Sequence, residues 1–267
     1  MSEEKEGINE KSESNENQER FADDPNLWID SLDELSEIEK AFGIDELCEK
    51  KLCGKTILDI GTYGIKPLYI ALKYKPKKII GINDEFDDSF RLIEPKSKLF
   101  VKTEIKFYNC SFFNNVKLTE ILDRENQKLS DFVLVSKTLH HLRSGTCIAE
   151  RREPGHCCKE DEKCCIHEFN EKEIFERLLC LGKRVIVYEA FNPETLDADK
   201  VRGRGGHFTT NEWKQIFGFL ERSENYRVEL IQPIGLHLDR DGIREMGAIL
   251  RQVDALCFYV ERVEEKQ

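Results

Sequence analysis

Short runs of apolar residues recur along this sequence, and stretches of helical periodicity separate them. Thr56 to Ile60, Lys78 to Ile82, Ile105 to Tyr108, Phe132 to Val135 and Arg184 to Tyr188 read as strands. A strand that is apolar throughout is buried on both faces, as in a parallel sheet covered by helices. Between the strands, Pro67 to Tyr74 has a proline in its first turn, which suits a helix start. Residues 86–100 are predicted helical, interrupted near Pro95. Phe169 to Leu181 is predicted as a helix ending at Gly182, and Thr209 to Leu220 as a helix with a threonine cap. Alternation of this kind predicts a doubly wound α/β fold. Two late strands, Arg227 to Ile231 and Leu256 to Val260, flank a predicted helix over 241–251. They lack a strong crossover pattern and could form an antiparallel edge.

The chain has 267 residues, enough to bury a sizeable core. Residues 1–24 carry nine acidic and three basic side chains and almost nothing apolar. Such a segment cannot offset its ordering entropy by burial, so a disordered acidic tail is expected there. Residues 25–53 read as N-terminal helices. Ser31 and Glu34 have capping-box spacing, and Leu32, Leu35, Ile38 and Phe42 repeat at helical intervals. The main domain is then expected over 54–267, with a polar, aperiodic insertion at 143–167.

No run approaches the ~18–20 apolar residues that span a bilayer. No basic segment followed by an apolar one opens the chain, so a cytoplasmic location is expected. The net charge of −11 argues against a protein whose main task is to hold nucleic-acid phosphates.

In an open α/β sheet, ligands bind at the carboxyl ends of the strands, near the point where strand order reverses. The first strand ends Leu58-Asp59-Ile60-Gly61-Thr62-Tyr63-Gly64. Glycines there let the backbone turn sharply and approach a ligand. Neither a Gly-x-Gly-x-x-Gly run nor a phosphate loop is present. The Asp59 carboxylate would repel a pyrophosphate and attract an ammonium. That favours a ligand such as S-adenosylmethionine over NAD or ATP.

Several ordered signals extend this reading. They are Ile57-Leu-Asp59-Ile-Gly61-Thr-Tyr-Gly64, Ile79-Ile-Gly-Ile-Asn83-Asp84, Ser130 to Leu142 with His140 and His141, and Gly206-His207-Phe208-Thr209 leading to Trp213. In these segments the chain resembles the class I S-adenosylmethionine-dependent methyltransferases, in the subgroup acting on small molecules and some transfer RNAs. The resemblance covers about residues 54–262. It implies a seven-stranded, doubly wound, Rossmann-like sheet with an antiparallel last strand. It also implies that Asp59, Gly61 and Gly64 hold the methionine end of the cofactor. Asn83 and Asp84 would hold the ribose, and Ser111 would sit near the adenine. The acceptor it implies is a small molecule or a tRNA.

Ser136 and His140 follow the fourth strand and would border the transferred methyl group. Glu189 ends the fifth strand and is a candidate base or substrate ligand. Transfer from a sulfonium is an in-line displacement, so alignment matters more than a catalytic dyad. A non-catalytic binding or regulatory relative is the alternative reading.

Ten cysteines are present. Cys157, Cys158, Cys164 and Cys165 cluster in the insertion, flanked by His156 and His167. Structural zinc, disulfide or redox chemistry, and a reduced loop are all open for this cluster. The same loop is a candidate docking point for a protein partner. Cys48, Cys53, Cys110, Cys180 and Cys257 stand among apolar neighbours and read as small core residues.

Overall fold

The structure is a computed structural model. It describes residues 36, 38–40, 51–62, 65–83, 101–112, 114–136, 138–139, 171–190, 208–232, 239–253 and 255–263. Seven strands form one sheet: β1 (Thr56–Ile60), β2 (Lys78–Asn83), β3 (Glu104–Asn109), β4 (Ser130–Ser136), β5 (Gly182–Ala190), β6 (Tyr226–Gln232) and β7 (Ala255–Arg262). The helices are α1 (Lys66–Tyr74), α2 (Asn115–Arg124), α3 (Glu171–Leu181), α4 (Thr210–Arg222) and α5 (Arg240–Leu250).

The strand order is β3-β2-β1-β4-β5-β7-β6. Strands β1 to β5 pair in parallel. Strand β7 runs antiparallel to both β5 and β6. The doubly wound sheet with its reversed last strand is therefore as expected. The reversed strand is not at an edge, however. It is inserted between β5 and β6, and β6 forms the border.

Side-chain alternation along each strand divides the core into two layers. Leu58, Ile60, Val133 and Val135 face α2, α3, α4 and α5. Ile57, Ile79, Phe132 and Leu134 face the other way, toward α1 and Ile38. Every residue of β1 is buried. Its start is tied to β4, because the Thr56 N–H donates to Asp131 Oδ2 at 2.9 Å.

Helix α4 begins as its sequence indicates. Thr209 and Glu212 form a capping box, with the Thr209 N–H donating to Glu212 Oε2 at 2.7 Å. Helix α2 was not expected from the sequence. Its signal is present, however: Leu118, Ile121 and Leu122 are buried at helical spacing, and Asn114 caps the first turn through Lys117 N–H at 3.0 Å.

Gly182 does not simply end α3. It opens β5, and a Cβ there would meet Val133 Cγ2 at 2.5 Å. The scattered cysteines also divide. Cys110 and Cys257 are buried, and burial raises both thiols above their ordinary range. Cys53 and Cys180 are exposed, contrary to the core reading: Cys53 lies in the turn before β1 and Cys180 near the end of α3, where an apolar neighbourhood in sequence does not ensure burial in space. Cys48 and the cluster at 157–165 lie outside the described residues, as do the acidic tail and the helix predicted over 86–100.

A polar cluster fastens the starts of β2 and β3 to the end of α2. Lys78 Nζ lies 2.6 Å from Glu125 Oε2 and 3.1 Å from Glu104 Oε2, and the Tyr108 hydroxyl donates to Glu125 Oε1. Burial alone would raise the Glu125 carboxyl. Hydrogen bonds from Lys78 and Tyr108 outweigh it and leave the carboxyl below its ordinary value. A carboxyl depressed on folding contributes stability that is present above its unfolded value, about 4.3, and lost as pH falls through the folded value. Glu125→Gln is expected to cost about 1.5–3 kcal/mol near neutrality. The variant should also lose less stability than the wild type between pH 5 and pH 3, as followed by urea unfolding. Equal acid sensitivity in the two proteins would refute this assignment.

Candidate functional site

The chain leaves β1, passes through β2 and β3 on one side, and returns to β4 on the other. The reversal of strand order therefore falls between the carboxyl ends of β1 and β4. In open α/β sheets, that crevice is where ligands bind.

The turn after β1 is held by β2. The N–H groups of Gly61 and Thr62 both donate to the Ile82 carbonyl, at 2.9 and 3.1 Å. Asn83 Nδ2 donates to the Thr62 carbonyl at 2.9 Å. Asn83 thus stands at the tip of β2, against the turn that carries Gly61. Gly61 has φ of +68°, in the left-handed region. A Cβ at this position would lie 2.3 Å from both Cγ2 and Oγ1 of Thr138.

Two causes therefore demand glycine here, the backbone and a threonine from the segment after β4. Gly61→Ala is expected to cost about 1–3 kcal/mol through overpacking, with left-handed strain added. Thr138→Gly in the same chain should recover the packing part in thermal unfolding. Failure to recover any of it would show that Thr138 is not the obstacle.

Asp59 and Ile57 share the face of β1 that α1 covers. Asp59 is fully buried, and so is Lys66 in the first turn of α1. Lys66 Nζ lies 3.2 Å from Asp59 Oδ1. Apart from this ion pair, no hydrogen bond to either Asp59 oxygen is found among the described residues. Desolvating two charges costs several kcal/mol per ion, and the mutual attraction offsets that only with good geometry and further hydrogen bonds. Asp59 is thus a carboxylate with accepting capacity left over, and it has a cation beside it.

Ser111 follows β3, next to Cys110, whose N–H donates to the Asn83 carbonyl at 2.8 Å. This bond brings the ends of β2 and β3 together, and with them Asn83 and Ser111. Ser136 is fully buried at the end of β4. Its carbonyl accepts from Thr138 Oγ1 at 2.8 Å. Glu189, also buried, is the penultimate residue of β5, and its Oε2 accepts from the Leu139 N–H at 3.1 Å. Asp59, Gly61, Asn83, Ser111, Ser136 and Glu189 thus all belong to the carboxyl edge of the sheet. Gly64, Asp84, His140, Cys157, Cys158, Cys164 and Cys165 lie outside the described residues. Among the described residues, no group of three or more His, Cys, Asp or Glu side chains is placed to hold a metal ion.

Sequence reasoning did not pick out Lys66 and Thr138 as parts of the site. For Lys66 a signal existed. A cation in the first turn opposes the helix dipole, and α1 has neither an acid in that turn nor a side-chain cap at Ile65. A lysine so placed calls for a carboxylate nearby, and Asp59 is the acid seven residues upstream.

The sheet is the seven-stranded, doubly wound one that the resemblance to the class I methyltransferases implies, as the strand order and the reversed β7 show. No family model and no curated protein matches the chain. Among solved structures, it is similar to the plantazolicin methyltransferase BamL, in complex with a triazolic desmethyl analog and S-adenosylhomocysteine. The two are 14% identical over 95% of this chain and 92% of that one, with a TM-score of 0.46. It is also similar to the N-methyltransferase NodS from Bradyrhizobium japonicum, at 12% identity, 85% and 97% coverage and a TM-score of 0.45. A third is the 1,6-didemethyltoxoflavin-N1-methyltransferase from Burkholderia thailandensis, at 11% identity, 98% and 93% coverage and a TM-score of 0.44.

Proposed function

We propose that this chain binds S-adenosylmethionine at the carboxyl ends of β1, β2 and β3 and transfers its methyl group to an acceptor over β4. One observation carries the reading: a buried carboxylate, Asp59, followed by a left-handed Gly61, at the reversal point of this sheet. The donor chemistry fits. The oxygens of Asp59 can accept from an ammonium, and a sharp turn brings the backbone close. When bound, the cofactor supplies an electrophilic methyl group on a sulfonium.

The chain's own residues would do the rest. Asp59, Gly61 and Gly64 orient the amino-acid end. Asn83 and Asp84 accept and donate at the ribose hydroxyls, and Ser111 meets the adenine. Ser136 and His140 border the methyl group and align the acceptor. Glu189, through its bond to the Leu139 N–H, positions the segment that leads into His140. A small molecule or a tRNA is the acceptor class that the resemblance suggests.

Calorimetry with S-adenosylhomocysteine tests the cofactor reading. Binding in the micromolar to submillimolar range is expected, and none at millimolar ligand would end it. Mass spectrometry of the purified protein for a retained ligand is the companion measurement.

A second reading has its own support. Asp59 already carries a counter-cation, and Thr138 packs against Gly61. Both features suit a non-catalytic relative that uses the fold for binding or regulation. Cofactor binding without turnover on any acceptor pool would favour it. For the cysteine-rich insertion, zinc and redox chemistry rest on ligand type alone. Metal analysis of protein purified under reducing conditions separates them.

A further inference from the structure

The proposed cofactor reading, on which this inference rests, asks Asp59 to receive an ammonium. Lys66 already presents one, at 3.2 Å from Oδ1, with both side chains fully buried. Its place in the fold is fixed. It sits in the first turn of α1, beside Pro67, and α1 lies over the face of β1 that carries Asp59. The helix dipole disfavours a cation there, and packing alone would be served by an uncharged side chain.

We infer that Lys66 is an internal competitor for the amino-acid end of the ligand. A ligand's α-ammonium can reach Asp59 only by displacing Lys66 Nζ or by crowding a second cation against the same carboxylate. Displacement exchanges one ammonium for another, so the gain from Asp59 largely cancels. Crowding adds repulsion between like charges in a buried place. The adenosyl part therefore carries the affinity, and the amino-acid end adds little while Lys66 is charged and in place. Lys66 sets how strongly the site tells a complete cofactor from its nucleoside fragment.

The test compares two ligands by calorimetry on the full chain. S-adenosylhomocysteine carries the amino-acid end, whereas 5′-methylthioadenosine lacks it. In the wild type, their affinities should lie within tenfold of each other. Lys66→Met should tighten S-adenosylhomocysteine at least fivefold and leave 5′-methylthioadenosine unchanged. A wild-type preference for S-adenosylhomocysteine above tenfold would overturn the inference. So would a Lys66→Met variant that binds it no better, or less well, because Lys66 would then be neutral or would itself hold the ligand.

If the single variant does not fold, Lys66→Gln keeps a polar side chain beside Asp59 while removing the charge. It should tighten S-adenosylhomocysteine at least threefold, and a variant that binds it no better overturns the inference. If neither nucleoside binds wild type or variant, the cofactor reading itself fails, and the inference with it. If 5′-methylthioadenosine binds while the S-adenosylhomocysteine outcomes go the wrong way, only the Lys66 assignment fails.

Discussion

Trp213→Ala should lower stability by about 3–5 kcal/mol, the scale for removing a large aromatic side chain from a packed core. Trp213 is fully buried on α4. Its ring lies 5.0 Å from Phe208, 6.0 Å from Phe217 and 6.2 Å from Phe258, centroid to centroid. These rings join the entry to α4 with α4 itself and with β7. In a chain of this size the loss corresponds to a fall of roughly 10 °C in melting temperature. Trp213→Phe should cost much less. The indole N–H has no hydrogen-bond partner among the described residues, so no polar contact goes with it. Equal losses for alanine and phenylalanine would place the effect in the N–H rather than in packing.

The other large effect concerns the charge pair under α1. Asp59→Ala removes the carboxylate from beside a fully buried ammonium. Breaking a buried pair from one side costs about 3–5 kcal/mol. Removing both charges, as Asp59→Asn with Lys66→Met, should cost far less than the sum of the single changes. A double-mutant cycle in urea reads the coupling directly. Additive single effects would mean that the two groups do not stabilise each other.

Much of the sheet was legible beforehand because burial on both faces leaves apolar runs in the sequence, as at Ile57-Leu58 and Phe132 to Val135. The start of α4 was legible because Thr209 and Glu212 satisfy each other locally. Helix α2 is not evident from the sequence, although Leu118, Ile121 and Leu122 keep the helical interval, because its remaining positions are polar apart from the exposed Val116. The position of β7 between β5 and β6 leaves no local trace. Strand order depends on pairings among residues far apart in the chain, such as Tyr188 with Cys257.

The site divides along the same line. Asp59 and Gly61 were legible from type and spacing. Their neighbours were not. That Lys66 lies against Asp59 depends on where the turn sets α1 down on the sheet. That Thr138 abuts Gly61 depends on β4 lying beside β1. Asn83 illustrates a further limit, since its identity suggests a ligand contact while its amide nitrogen holds the Thr62 carbonyl.

The insertion of β7 between its two neighbours bears on how the protein is made. During synthesis, β1 to β5 emerge in an order that lets each join a strand already present. Strand β6 emerges with no strand to pair with, because among the described residues its neighbour in the sheet is β7 alone. Until residues 255–262 have left the ribosome, both β5 and β6 present open hydrogen-bonding edges. Such edges invite association with other chains. A released chain truncated near residue 250 would leave both edges open to association with other chains.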